Sequence, residues 1–105
     1  MSKIVTAEDF KESVLESQVP VLVDFYADWC GPCKMLGPVL EQLEESYGGK
    51  FTLVKVNIDD STPLAVEYNI ASIPAVKLFV GGEVVDETVG NNVAAVRKML
   101  QDQIG

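Results

Sequence analysis

The sequence has no histidine, only two cysteines, and no apolar run approaching the ~18 residues that a membrane span requires. Without an imidazole, cysteine-dependent hydrolysis lacks its usual base and is set aside. Two thiols also fall short of the roughly four ligands of a structural zinc or iron–sulfur site, so a complete metal site would need a second subunit. Basic residues are scarce: 8 lysines and arginines stand against 16 acids, giving a net charge of −8, and only Arg97 and Lys98 adjoin. A chain this acidic, with no basic stripe, is ill suited to nucleic-acid phosphates, and the acid excess is read as a device for solubility. The N-terminal "MSKIVTAEDF" lacks the apolar core of a signal peptide. The reading is therefore a soluble cytoplasmic protein, expected to be a monomer, that binds neither nucleic acid nor membrane.

With 105 residues, 48% of them hydrophobic and 23% charged, the chain suits a single domain over residues 1–105. "SKIVT" is a short strand candidate. Thr6 with Asp9 resembles a capping box opening a helix whose Ala7, Phe10 and Val14 share one face. "VPVLVDFYA", residues 19–27, is apolar at odd and even positions alike, as a central strand covered on both faces would be, and Asp24 is its one break. Beyond the cysteines, Leu36, Val39, Leu40, Leu43 and Tyr47 recur at helical spacing up to Gly48-Gly49, with a kink expected at Pro38. "FTLVKVNI" reads as another strand, followed by a short helix near 62–68 with Ser61 as cap and Pro63 in its first turn. "AVKLFV" and "EVVDETV" around Gly81-Gly82 predict a hairpin, and a last helix turns Val93, Val96, Leu100 and Ile104 inward. Strands separated by helices are expected to run mostly parallel and the hairpin antiparallel, so the fold class is α/β, a mixed sheet sandwiched by helices.

Both cysteines lie in "ADWCGPCK", residues 27–34, after the central strand and at the start of a helix. That is the carboxyl edge of an open α/β sheet, where ligands bind. Residues three apart on a helix lie ~5–6 Å apart at Cβ, near disulfide distance. The unpaired N–H groups and the positive dipole end at the helix start favour a thiolate on Cys30. Gly31 removes a side chain beside the nucleophile, and Pro32 presets helical φ without wasting a donor. A structural staple across so short a loop would constrain the unfolded chain by only about 2 kcal/mol and would be kept open in a reducing compartment. Reversible disulfide exchange is the stronger reading: Cys30 attacks a substrate disulfide, and Cys33 then attacks Cys30 to release reduced substrate.

The second step needs Cys33 deprotonated. Asp24, costly to ionise within an apolar strand, is the available proton acceptor. The competing reading makes it a structural aspartate satisfied by Lys55 or by backbone N–H groups. Lys55, on the apolar strand, either tunes Asp24 or merely reaches for solvent.

"VDFYADWCGPCK" with Pro38, "VKVNID" at 54–59, "YNIASIPAVKLFVGGE" at 68–83 and "VG" at 89–90 resemble the thioredoxin family over nearly the whole chain and in the family's order. The resemblance implies the thioredoxin fold, a central mixed sheet of about five strands flanked by about four helices, and protein disulfide reductase activity. It implies Cys30 as attacking thiol, Cys33 as resolving thiol and Asp24 as the carboxylate assisting Cys33. It makes Ile73-Pro74 the family's cis-proline site, beside the disulfide and pairing with substrate backbone. It further assigns Trp29, Ile73, Val89 and Gly90 to an apolar rim that docks protein substrates beside an exposed nucleophile. The redox centre would be the cysteine pair, with no bound cofactor and no metal, and the partners would be disulfide-containing proteins and a thioredoxin reductase. An oxidase or isomerase of the same fold, or a non-catalytic binding module using the rim, are the alternatives. Tyr26, Gly37, Ala75 and Asn91 depart from the family's commonest residues, where tryptophan, alanine, threonine and alanine are frequent, and bear on substrate preference and on the fit to one particular reductase.

Overall fold

A computed structural model describes residues 3–105. Its sheet has five strands in the order β1-β3-β2-β4-β5: β1 (Lys3–Ile4), β2 (Val21–Tyr26), β3 (Thr52–Asn57), β4 (Ala75–Val80) and β5 (Glu83–Val89). The helices are α1 (Gly31–Tyr47), α2 (Thr62–Glu67) and α3 (Val93–Gln103), with a π-helical turn at Lys11–Leu15. Of the strand expected over "SKIVT", Ser2 lies outside the described residues.

The apolar run of β2 is buried on both faces because successive side chains alternate across the sheet. Val21, Val23 and Phe25 join Val54, Val56 and Phe79 beneath Phe10, Val14 and Leu64. Leu22 faces the other way, with Leu53, Val76 and Leu78, under Leu36, Leu40 and Leu43 of α1 and Val96, Met99 and Leu100 of α3. The same alternation turns Asp24 toward α1.

Four expectations need correction. The first helix is a π-helical turn, and Ala7 is exposed rather than on the buried face of Phe10 and Val14. No capping box forms there: the Asp9 N–H donates to the Thr6 carbonyl at 3.1 Å and the Thr6 hydroxyl to the Asp9 carboxylate at 3.3 Å, which closes a turn instead. Ser61 does occupy the N-cap of α2, yet its side chain makes no capping hydrogen bond. Finally, β1, β3 and β2 are parallel, but β4 runs antiparallel to β2 although a helix precedes it. The helix in question, α2, has only six residues, ~9 Å of length. It carries the chain across the carboxyl edge of the sheet, and β4 begins there, opposite Phe25, without returning to the other edge. That places the start of β4 beside the cysteines.

Helix α1 continues through Pro38 and ends on Gly48 in the left-handed region (φ 56°). The expected hairpin is present, with Gly81 and Gly82 both at positive φ (61° and 83°), the backbone of a two-residue turn that matches strand twist.

Candidate active site

Cys30 ends the loop leaving β2 and is the N-cap of α1, with extended backbone (φ −90°, ψ 108°). The Cys33 N–H donates to Cys30 Sγ at 3.2 Å, so sulfur takes the capping role that an oxygen usually fills and satisfies one orphan donor of the first turn. The two cysteines form a disulfide with their Cα atoms 5.3 Å apart. Gly31 and Pro32 are exposed between them, and no atom lies within 4 Å of a Cβ built on Gly31. Cys30 is less open than an exposed nucleophile would be: it is only 5% exposed, as is Cys33, and the pair packs with Ala27, Tyr26, Ile58 and Ile73. Burial follows from the packing of Ile58, just after β3, and Ile73, just before β4, against the pair.

The proposed rim divides into exposed and buried members. Trp29 is 69% exposed and Val89 58%. Ile73 is half-buried against the cysteines, its peptide bond to the buried Pro74 is cis, and the Gly90 N–H donates to the Pro74 carbonyl at 2.7 Å. Ala75 is buried in β4 between Phe25 and Val89, whereas Asn91 is exposed. One contact has no signal in the sequence: the Trp29 indole N–H donates to the Asp59 carboxylate at 2.9 Å, 30 residues away. Asp59 is held by a turn in which the Asn57 side chain accepts from the N–H groups of Asp59 and Asp60, a local pattern that "NIDD" does carry.

Asp24 is 1% exposed, and its Oδ1 has no hydrogen-bond partner among the described residues. Burial raises its carboxyl from 3.8 to about 6, with the Lys55 charge pulling the other way. Neither Lys55 nor a backbone N–H hydrogen-bonds Asp24 Oδ1. Lys55, opposite Asp24 in the register of β2 and β3, places its ammonium over the Tyr26 ring, 4.6 Å from the centroid. Together with Tyr26, Ala27, Asp28, Cys33 and Lys34 it lines a cavity of about 160 Å³. Gly37, one turn after Cys33, lies on the same side, and its missing Cβ would come 3.5 Å from Lys55 Nζ.

A sequence model of the thioredoxin family matches residues 1–102. The chain belongs to the thioredoxin family. Thioredoxin 1 of Nostoc sp. is 51% identical over 86 residues, which cover 82% of this chain and 80% of that protein. The thioredoxin of Chlorobaculum thiosulfatiphilum is 46% identical over 103 residues, covering 95% and 94%. Among solved structures, the thioredoxin Mala s 13 of Malassezia sympodialis superposes with a TM-score of 0.90 at 29% identity, covering 99% of this chain and 94% of that one. The expected thioredoxin fold is therefore present, and protein disulfide reduction is the activity of the family, with disulfide-bearing proteins as substrates and a reductase as electron source.

A thioredoxin needs no enclosed pocket at its cysteines, because the substrate is another protein's surface. A larger concavity, about 560 Å³, lies at the far end of α1 among Glu41, Glu44, Glu45 and Phe51, away from the chemistry. Among the described residues no helix is long and apolar enough to cross a membrane, and no group of three or more acidic or cysteine side chains is placed to hold a metal.

Proposed function

We propose that this chain is a general reductant of protein disulfides in the cytoplasm, acting as a monomeric electron carrier re-reduced by a thioredoxin reductase. The observation that carries the assignment of roles is the asymmetry of the pair: Cys30 caps α1, where the helix dipole stabilises a thiolate, while Cys33 lies one turn in, beside a cavity also lined by Lys55, the residue opposite Asp24 in the sheet. In the dithiol form the Cys30 thiolate attacks one sulfur of a substrate disulfide. The substrate S–S bond breaks, a Cys30–substrate bond forms, and the departing substrate thiolate takes a proton from solvent. Cys33 gives its proton to Asp24 and attacks Cys30 Sγ, which closes the Cys30–Cys33 disulfide and releases the second substrate thiolate. Two electrons have then passed from the pair to the substrate, with no further cofactor.

Trp29, Ile73, Val89 and Gly90 supply the apolar surface on which the substrate rests, and the backbone of the Ile73-Pro74 loop, at Ile73, supplies polar groups beside the disulfide. Because the sulfurs are recessed, a substrate must seat on this rim before exchange. Lys55 moderates the acidity of Asp24. The test is trapping: Cys33→Ser incubated with a disulfide-bearing protein should accumulate a covalent mixed disulfide through Cys30, while Cys30→Ser should trap nothing and reduce nothing. Equal trapping by both variants would remove the assignment of attacking and resolving thiols.

A further inference from the structure

We propose that Tyr26 is a positioning residue for the exchange reaction, its ring holding the Lys55 ammonium in the narrow space beside Gly37 and thereby fixing the charge that faces Asp24. Three features converge on that ammonium. The register of β2 and β3 puts Lys55 opposite Asp24 and Asn57 opposite Tyr26, so one strand pair presents the carboxylate, the ring and the lysine together. The Nζ lies 4.6 Å from the ring centroid, within the range of a cation–π contact. On the helix side α1 borders the ammonium at Gly37, where a Cβ would stand 3.5 Å from the Nζ, an ordinary contact distance.

Lys55 forms no direct ion pair with Asp24, so its influence acts through space and depends on where a four-carbon stem comes to rest. Without the ring, the cavity of about 160 Å³ gives the ammonium a way out toward Asp28. The groups facing Asp24 are few. Lys55 lies opposite it on β3 and Val76 on β4, Tyr26 follows two residues on along its own strand, and Cys33, Asp28 and Lys34 border the cavity that Tyr26 and Lys55 line. Lys55 is the cation whose charge reaches the carboxyl. Burial holds the Tyr26 hydroxyl above its ordinary value, so the ring stays neutral and keeps its attraction for a cation.

The consequence for exchange rests on Asp24 accepting the Cys33 proton, but the positioning itself can be read without turnover. The Asp24 carboxyl carbon is followed by NMR against pH in Tyr26→Phe, Tyr26→Leu, Lys55→Met and the Tyr26→Leu/Lys55→Met double variant. Tyr26→Phe keeps the ring and should leave the midpoint where it is. Tyr26→Leu should raise it by roughly half a unit or more, about a threefold change in the dissociation constant, toward that of Lys55→Met. In the Lys55→Met background Tyr26→Leu should add nothing. An unchanged midpoint in Tyr26→Leu, or an equal shift with and without Lys55, would overturn the proposal. The unsubstituted protein offers a check that survives any folding defect: ring current from Tyr26 should move the Lys55 ε-methylene protons upfield, and unshifted protons would overturn it as well. If the titrations shift as stated while release from the Cys30 mixed disulfide keeps its pH profile, the positioning stands and the role of Asp24 as proton acceptor falls.

Discussion

Replacing Asp24 with asparagine should stabilise the protein at neutral pH, although it removes a buried group from the centre of the sheet. The carboxyl is 1% exposed, and its Oδ1 has no partner among the described residues. Its pKa rises from 3.8 to about 6, through burial first and against the opposing charge of Lys55. The folded state therefore holds the proton more tightly than the unfolded chain. Between these two values the folded protein binds more protons, so stability falls as pH rises through the window and stays lower above it. At about 1.4 kcal/mol per unit, the interval amounts to about 3 kcal/mol. Asparagine cannot ionise and is nearly isosteric, so the variant escapes this loss. Urea unfolding of both oxidised proteins at a series of pH values is the assay. The difference between them should be about 3 kcal/mol more favourable to Asp24→Asn at pH 8 than at pH 3.5, and at a typical urea dependence that is a midpoint gain of about 1 to 3 M. The pH-dependent part carries the test, because the cost of burying an amide is the same at every pH. Parallel stability curves would show that Asp24 ionises in the fold as easily as in the unfolded chain, and the reasoning from desolvation would fail.

The same substitution should slow release of substrate from the Cys30 mixed disulfide by about a hundredfold at neutral pH, as loss of a general base does, measured in single turnovers; an unchanged rate would take Asp24 out of the proton path. Glu44→Ala should cost about 1 to 3 kcal/mol in thermal unfolding, because Glu44 Oε2 accepts the N–H of Leu53 at 2.8 Å and the alanine leaves that donor unpaired at a buried residue. Glu44→Gln, which keeps an acceptor oxygen, should recover most of it. Gly82→Ala should destabilise by more than about 1 kcal/mol, since the new Cβ would lie 2.8 Å from the Leu15 carbonyl oxygen at φ 83°. Gly31→Ala, with nothing within 4 Å and no positive φ, should be close to neutral in the same assay, and equal effects would show that the hairpin turn moves freely off the π-helical turn.

The order of strands and helices was legible because each element carries its own periodicity: the two-sided apolar run of β2, the helical spacing from Leu36 to Tyr47, the paired glycines between β4 and β5. The cysteine pair at the start of a helix was legible for the same reason, since strand end, motif and helix are contiguous. Errors arose where a local signal had a competitor of similar strength. Thr6 and Asp9 satisfy each other in a turn, which leaves no capping box, and the sheet, not the presence of α2, decides the direction of β4.

By itself the sequence determined what depends on neighbours along the chain: which segments become strands and helices, that two thiols stand one helical turn apart, and that one carboxylate interrupts an apolar strand. Only the tertiary structure decided what depends on groups distant in sequence. It set how far the sulfurs are recessed, brought the Trp29 indole onto Asp59, left Asp24 Oδ1 without a partner, and laid the Lys55 ammonium on Tyr26 beside Gly37. The reason is physical: periodicity reports which face of an element avoids water, whereas the ionisation of a buried group depends on the dielectric and on every charge around it, and those are assembled only when the sheet and helices close.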